Sequence, residues 1–169
     1  FRKGTSQKQS PFLLTMTNLA KNLTDLVEQE APLFGSFLVA HTISPAKLFQ
    51  FYMDSEEVLS MKSITDFTRH ISEKIDDSDL SDEAFTFEIS SPGAERPLTN
   101  RKQYGKHIGR SFDFVTSEGL VSGKLVEINE NNVFLIEQTT KEKGKKAITQ
   151  IIEVPFENIQ SATIIISFK

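Results

Sequence analysis

The sequence predicts an α+β chain in two parts: an N-terminal α-β-β-α-β domain, then a second part made of short strands alone. Three observations carry this. Apolar residues recur at helical spacing in two stretches before residue 80. Runs of strict alternation lie between and after them. Beyond residue 98 nothing reads as a helix longer than one turn. Of the 169 residues, 38% are hydrophobic and 25% charged. A chain of that size buries roughly two thirds of its unfolded surface, so one medium domain or two small ones need no disulfide or metal to hold together.

Taken in order, residues 1–15 are polar and basic without a long apolar segment, and Met16 reads as a start. They are therefore expected to be a disordered extension outside the fold. The N-terminal domain then spans residues 16–91. Leu19, Leu23, Leu26 and Val27 form a helical stripe that Pro32 and Gly35 end. The segments SFLVAHTI and LFQFYMD alternate as strands on either side of a turn at Ser44-Pro45. Ser60 and Ser63 are candidate caps for a second helix, whose stripe is Ile64, Phe67, Ile71 and Ile75. DDSDLSDE reads as a solvated loop. Phe85, Phe87 and Ile89, alternating with polar residues, close the unit as a strand.

Ser91-Pro92-Gly93 stops that strand, and Pro97 prevents its return to a ladder. Proline fixes φ and holds the preceding residue extended, so residues 92–98 are expected to be a rigid linker. The second domain, 99–169, shows strands near 106–116, 119–128, 132–138, 147–154 and 162–168. Gly119 and Asn131-Asn132 mark tight turns, and Pro155 to Ile159 a single 3₁₀ turn. Five strands with one such turn before the last form the layout of a small SH3-like or Sm-like five-stranded β-barrel. Closure would hide the edge of the Ile-rich last strand.

The formal charge of −4 is unevenly spread: residues 1–98 carry a net −6 and residues 99–169 a net +2. The basic second half holds the candidate nucleic-acid contacts. Lys141, Lys143, Lys145 and Lys146 sit on one hairpin tip, where phosphate binding would release counterions, although charge also keeps such tips soluble. Arg101, Lys102, Lys106, His107 and Arg110 form a second cluster just past the linker. Tyr104 among them suits either stacking on an unpaired base or a place in the core. Arg96, between Glu95 and Pro97, suits a bidentate contact to carboxylate or phosphate, or a structural ion pair with Glu88 or Glu95.

Enzyme readings find no constellation. Ser90 and Ser91 lie in no Gly-x-Ser-x-Gly elbow, and no histidine has the context of a partner base, so capping or binding suits them better than nucleophilic work. The absence of cysteine and the wide separation of His41, His70 and His107 argue against a zinc site. The acidic run at 76–83 lacks calcium-loop spacing. No metal, cofactor or small-molecule substrate is expected, and no apolar run has the length of a membrane span.

Ser90-Ser91-Pro92-Gly93 followed two residues later by Arg96-Pro97-Leu98 resembles the signature of the ribosome maturation factor RimP family. Phe51-Tyr52-Met53-Asp54 with the helix ITDFTRHISEKID, Phe112 to Leu125 with Gly109 and Gly123, and VPFENIQSATIIISFK agree in order over about residues 17–169. The resemblance implies a cytoplasmic, non-enzymatic factor that transiently binds the immature small ribosomal subunit. It would promote late ribosomal RNA folding and protein incorporation near the decoding region, acting as a monomer. The acidic domain would then meet a basic ribosomal protein and the basic one RNA. An SH3-like peptide adaptor, or an Sm-like RNA-binding ring, is the alternative not tied to the ribosome.

Overall fold

The computed structural model describes residues 11–93 and 95–167, with side chains from residue 16 onward. Residues 1–10 of the expected extension lie outside the described residues. Residues 11–15, by contrast, belong to the first helix, α1, Pro11–Glu30; Pro11 suits a first helical position, where its missing N–H is no loss. Two compact units divide the chain: one of Phe1–Met53 with Ser60–Ser90, the other of Asp54–Leu59 with Ser91–Lys169.

In the first unit α1 buries Leu19, Leu23 and Val27. A 3₁₀ turn at Ala31–Phe34 follows, and Gly35 ends it in the left-handed region at φ 63°, its N–H returning to the carbonyls of Ala31 and Pro32. Strands β1 (Phe37–Ile43) and β2 (Leu48–Asp54) flank a turn in which Lys47 N–H donates to Ser44 O. Helix α2, Met61–Asp76, starts at Ser60, whose Oγ accepts from Ser63 N–H, and Ile64, Phe67, Ile71 and Ile75 are all buried. Strand β3, Thr86–Ser90, pairs parallel with β2, giving the order β1-β2-β3. Alternation in β2 turns Phe49, Phe51 and Met53 inward. On the opposite face Thr42, Gln50 and Glu88 form a polar ladder across all three strands, Gln50 bonding both neighbours at 3.1 and 3.2 Å.

The second unit is a five-stranded antiparallel sheet in the order β7-β6-β5-β4-β8. The strands are β4 (Ser111–Thr116), β5 (Gly119–Ile128), β6 (Val133–Thr140), β7 (Ile148–Pro155) and β8 (Ile159–Ile164). Phe112, Phe114, Leu125, Phe134, Ile136 and Tyr104 are fully buried in one core. Gly123 lies opposite Phe112, with β6 close alongside: a Cβ there would stand 2.6 Å from Ile136 Cγ2 and 2.7 Å from the Glu137 carbonyl oxygen.

Three expectations change. The barrel does not close, since among the described residues β7 and β8 share no ladder and remain the two edges. The edge of β8 is instead covered locally by Leu98, which exchanges both backbone bonds with Ala162 at 2.7 and 3.1 Å. The strand expected from 106 begins at Ser111, because Arg101–Gln103 and Gly105–His107 form 3₁₀ turns. The last strand runs from 159 to 164, not 162 to 168, and stops short of the exposed Ile165 and Ile166. The acidic loop also holds a 3₁₀ turn, Asp79–Asp82, capped by Ser78. No helix among the described residues is long and apolar enough to cross a membrane.

Candidate nucleic-acid interface

The segment joining Leu98 to Arg110 is built around two buried side chains. Asn100 accepts from Lys102 N–H and begins a capping box with Gln103. Gln103 is completely buried; its Oε1 accepts from the N–H groups of Thr99 and Asn100 at 3.1 and 3.0 Å. Those two bonds fix its amide, so that Nε2 donates to Asp54 Oδ2 at 3.0 Å. Tyr104, also fully buried, donates its hydroxyl to Leu98 O at 2.8 Å and stands edge-on to Phe134 at 5.0 Å. Burial drives its phenol pKa well above the usual value of 10.

Asp54 is the second centre of this arrangement. It is 6% exposed, and its carboxylate accepts from Gln103, from Ser55 N–H at 2.8 Å and from Lys106 Nζ. The same ammonium donates to Ser55 O at 3.0 Å and Glu57 O at 3.4 Å. Lys106 thus spends all three of its donors within the unit. It ties the Asp54–Leu59 segment to the turn that carries it.

Several candidate residues consequently change role. Lys106 is an internal counterion rather than a solvent-facing contact, because a buried carboxylate without a partner would be costly. Tyr104 takes the core alternative and offers no ring to a base. Arg101 is half-buried and donates from Nε to Asn132 Oδ1 at 3.0 Å, across to the β5–β6 turn. That turn is shaped by Asn129, whose Oδ1 accepts from Asn131 and Val133, and by Asn132 at φ 58°. Lys102 and Arg110 are exposed. Residues 141–150 are exposed throughout, so Lys141, Lys143, Lys145 and Lys146 all face solvent. Within that tip Lys145 reaches Glu142 at 2.5 Å, and Gly144 takes φ 85° to make the turn.

A cleft of about 340 Å³ opens in this unit, and it brings together residues of the linker and of the basic cluster. Ser91, Pro92, Gly93, Arg96 and Leu98 line it, together with Lys106, His107 and Arg110. Ser90 ends β3, Pro97 is exposed, and neither lines the cleft. Asp54 is the only carboxylate on its wall, and it is already matched by three donors. His107 Nδ1 is buried with no hydrogen-bond partner. Burial, then Lys106 and Arg110 nearby, hold the His107 pKa below the usual 6.5. The imidazole is therefore neutral at pH 7. Asp54 and Gln103 were not singled out from the sequence. The Asn100-x-x-Gln103 spacing is a capping-box signal that points to the second; the place of Asp54 follows only from tertiary contact.

Comparison with known proteins agrees with the motif. The RimP N-terminal domain family matches residues 38–95. Over 156 residues the chain is 26% identical to a protein of Cytophaga hutchinsonii named ribosome maturation factor RimP, covering 87% of this chain and 93% of that one. A match to the RimP N-terminal domain, continued by a similarity that extends into the second unit, supports a relation of this chain to the RimP family.

Proposed function

We propose that this protein is a non-enzymatic, cytoplasmic, monomeric maturation factor that transiently binds the immature small ribosomal subunit and favours late folding of its RNA. In this reading the second unit is an open SH3-like barrel that meets RNA. The acidic first unit meets a basic ribosomal protein near the decoding region. The mechanism is differential binding: affinity for one folded state of the precursor over another shifts its population, and no covalent step is required. The observation that carries the reading is the β6–β7 hairpin, which presents Lys141, Lys143, Lys145 and Lys146 to solvent. The name of the Cytophaga hutchinsonii relative supports the ribosomal target.

Gradient sedimentation of a lysate, probed for this protein across the ribosomal fractions, tests the proposal. Migration with free small subunits and absence from complete ribosomes supports it. Equal presence on large subunits, or migration only as a free protein, overturns it.

A further inference from the structure

The sheet of the second unit stays open, and beside its β7 edge lies a cavity of about 220 Å³. We propose that this opening is a docking slot for an extended segment of a basic protein, added alongside β7, in which aliphatic side chains alternate with lysine or arginine. Such a slot lies outside the ribosomal reading: it requires only a cationic, extended partner. Three features of the site support this.

First, the two edges of the sheet differ. Leu98 covers β8 by taking both backbone bonds at Ala162, whereas among the described residues β7 pairs only with β6. An edge strand carries a row of outward N–H and C=O groups that a further strand can take up. β7 has no lysine to deter one, and its proline, Pro155, stands at the very end.

Second, the slot has an apolar floor and a fixed wall. Ile152 and Val154 of β7 line it together with Leu120 and Val121 of β5. Val121 and Ile152 are half-buried and pack on the core, while Leu120 is 68% exposed. The β4–β5 turn is held in place, Ser117 N–H donating to Asn158 O at 2.9 Å and Thr116 Oγ1 to Gly119 O at 2.7 Å. Little ordering of this wall is left to be lost on binding. The volume is smaller than a typical small-molecule site, and it suits a side chain or two of an added strand.

Third, the charge selects the partner. Glu118 and Glu153 line the slot and no Lys, Arg or His does, although residues 99–169 carry a net +2. A phosphate would be repelled here and a cationic side chain attracted. Successive side chains of a strand point to opposite faces. An aliphatic residue entering over Val121 and Ile152 therefore leaves its neighbours outside, beside the two exposed carboxylates.

The test titrates the full chain into a fluorescein-labelled peptide of alternating valine and lysine, followed by anisotropy. Saturable binding is expected, and the peptide with glutamate in place of lysine should not match it. Glu118→Gln combined with Glu153→Gln should weaken binding roughly fivefold, the worth of two exposed ion pairs. Leu120→Ala should weaken it by a similar factor through lost apolar cover. All three residues are exposed, so the variants should fold. In the unsubstituted protein at least one amide from Ile151 to Val154 should exchange more slowly with peptide bound, since alternate N–H groups of an edge strand point outward. Failure of the lysine peptide to bind, equal binding of the glutamate peptide, unchanged affinity in both variants or unchanged amide exchange overturns the slot. Slowing of the same amides by an unstructured RNA in place of the peptide overturns it in favour of nucleic acid. A dimer of the protein alone in sedimentation, lost in the double variant, overturns it in favour of a second copy.

Discussion

Replacing Lys106 with Met keeps the side chain's length and apolar stem while removing the ammonium that Asp54 faces. Asp54 Oδ1 would then keep only Ser55 N–H, and Oδ2 only Gln103. Removing one partner of a buried ion pair costs about 3–5 kcal/mol, against about 0–1 for an exposed pair. The side chains here are 17% and 9% exposed, and two donors stay on the carboxylate. The lower end of that range therefore applies, about 3 kcal/mol, or more than a hundredfold in the folding equilibrium. Asp54→Asn in the same background removes the stranded charge and should restore part of the loss. Recovery stays incomplete because, whichever way the Asn amide turns, its Nδ2 faces a donor, either Gln103 Nε2 or Ser55 N–H, and Gln103 cannot flip while its Oε1 holds Thr99 and Asn100. The two units need not unfold together, so the measurement must be local: urea-dependent hydrogen exchange of the Leu98 and Ala162 amides, which pair the linker with β8. A Lys106→Met loss within about 0.5 kcal/mol of zero would place this pair with exposed ones and sink the reasoning.

Four other outcomes are expected. Gly123→Ala should destabilise the second unit by at least about 2 kcal/mol, the scale of core overpacking, since one of its two close neighbours is a backbone oxygen that cannot turn aside; thermal unfolding by circular dichroism checks it. Tyr104→Phe should cost only about 1 kcal/mol, because Leu98 O still accepts from Ala162 N–H when the phenol is gone; the urea midpoint measures this. In the first unit His70 Nε2 donates to Glu30 Oε2 at 2.5 Å, and that bond, ahead of the nearby Lys74, holds the Glu30 pKa below its usual 4.5. A carboxyl lowered by folding stabilises above its unfolded pKa and loses this as pH falls through the folded one, so the stability gap between the protein and Glu30→Gln should be steady above pH 4.5 and shrink below it. Changing Lys141, Lys143, Lys145 and Lys146 together to Ser should reduce the salt slope of RNA binding by about 2; that is less than four full contacts would give, because Lys145 already shares its charge with Glu142.

Wherever apolar periodicity was unbroken, the residues themselves announced the fold. The stripe Ile64, Phe67, Ile71, Ile75 and the Ser60 cap are local signals, and local geometry satisfies them. The same holds for the β5–β6 turn at Asn131-Asn132. The stretch 99–110 was misread because its polar residues look like a loop feeding a strand. Asn100 and Gln103 instead satisfy the backbone within the turn itself, and Gly109, at φ 92°, redirects the chain before Ser111. Closure of the sheet was expected from the strand count and the single 3₁₀ turn before the last strand. Count says nothing about whether the first and last strands in the order come within ladder distance, and Leu98 covers the β8 edge at a cost of two backbone bonds rather than a whole strand.

The candidate interface shows a further gap between composition and field. Arg101, Lys102, Lys106, His107 and Arg110 read as five adjacent basic positions, yet their side chains serve different purposes. Lys106 is matched by Asp54, a residue about fifty positions earlier that no local pattern connects to it. Arg101 is held by Asn132, and His107 is kept neutral by burial and by its own cationic neighbours. A cluster counted along the chain therefore overstates the charge available to a partner, and the β6–β7 tip, where every residue from 141 to 146 is exposed and Lys145 meets Glu142, does so less. Lys106 and Asp54 thus match one another on the cleft wall, and neither charge is left over for a partner.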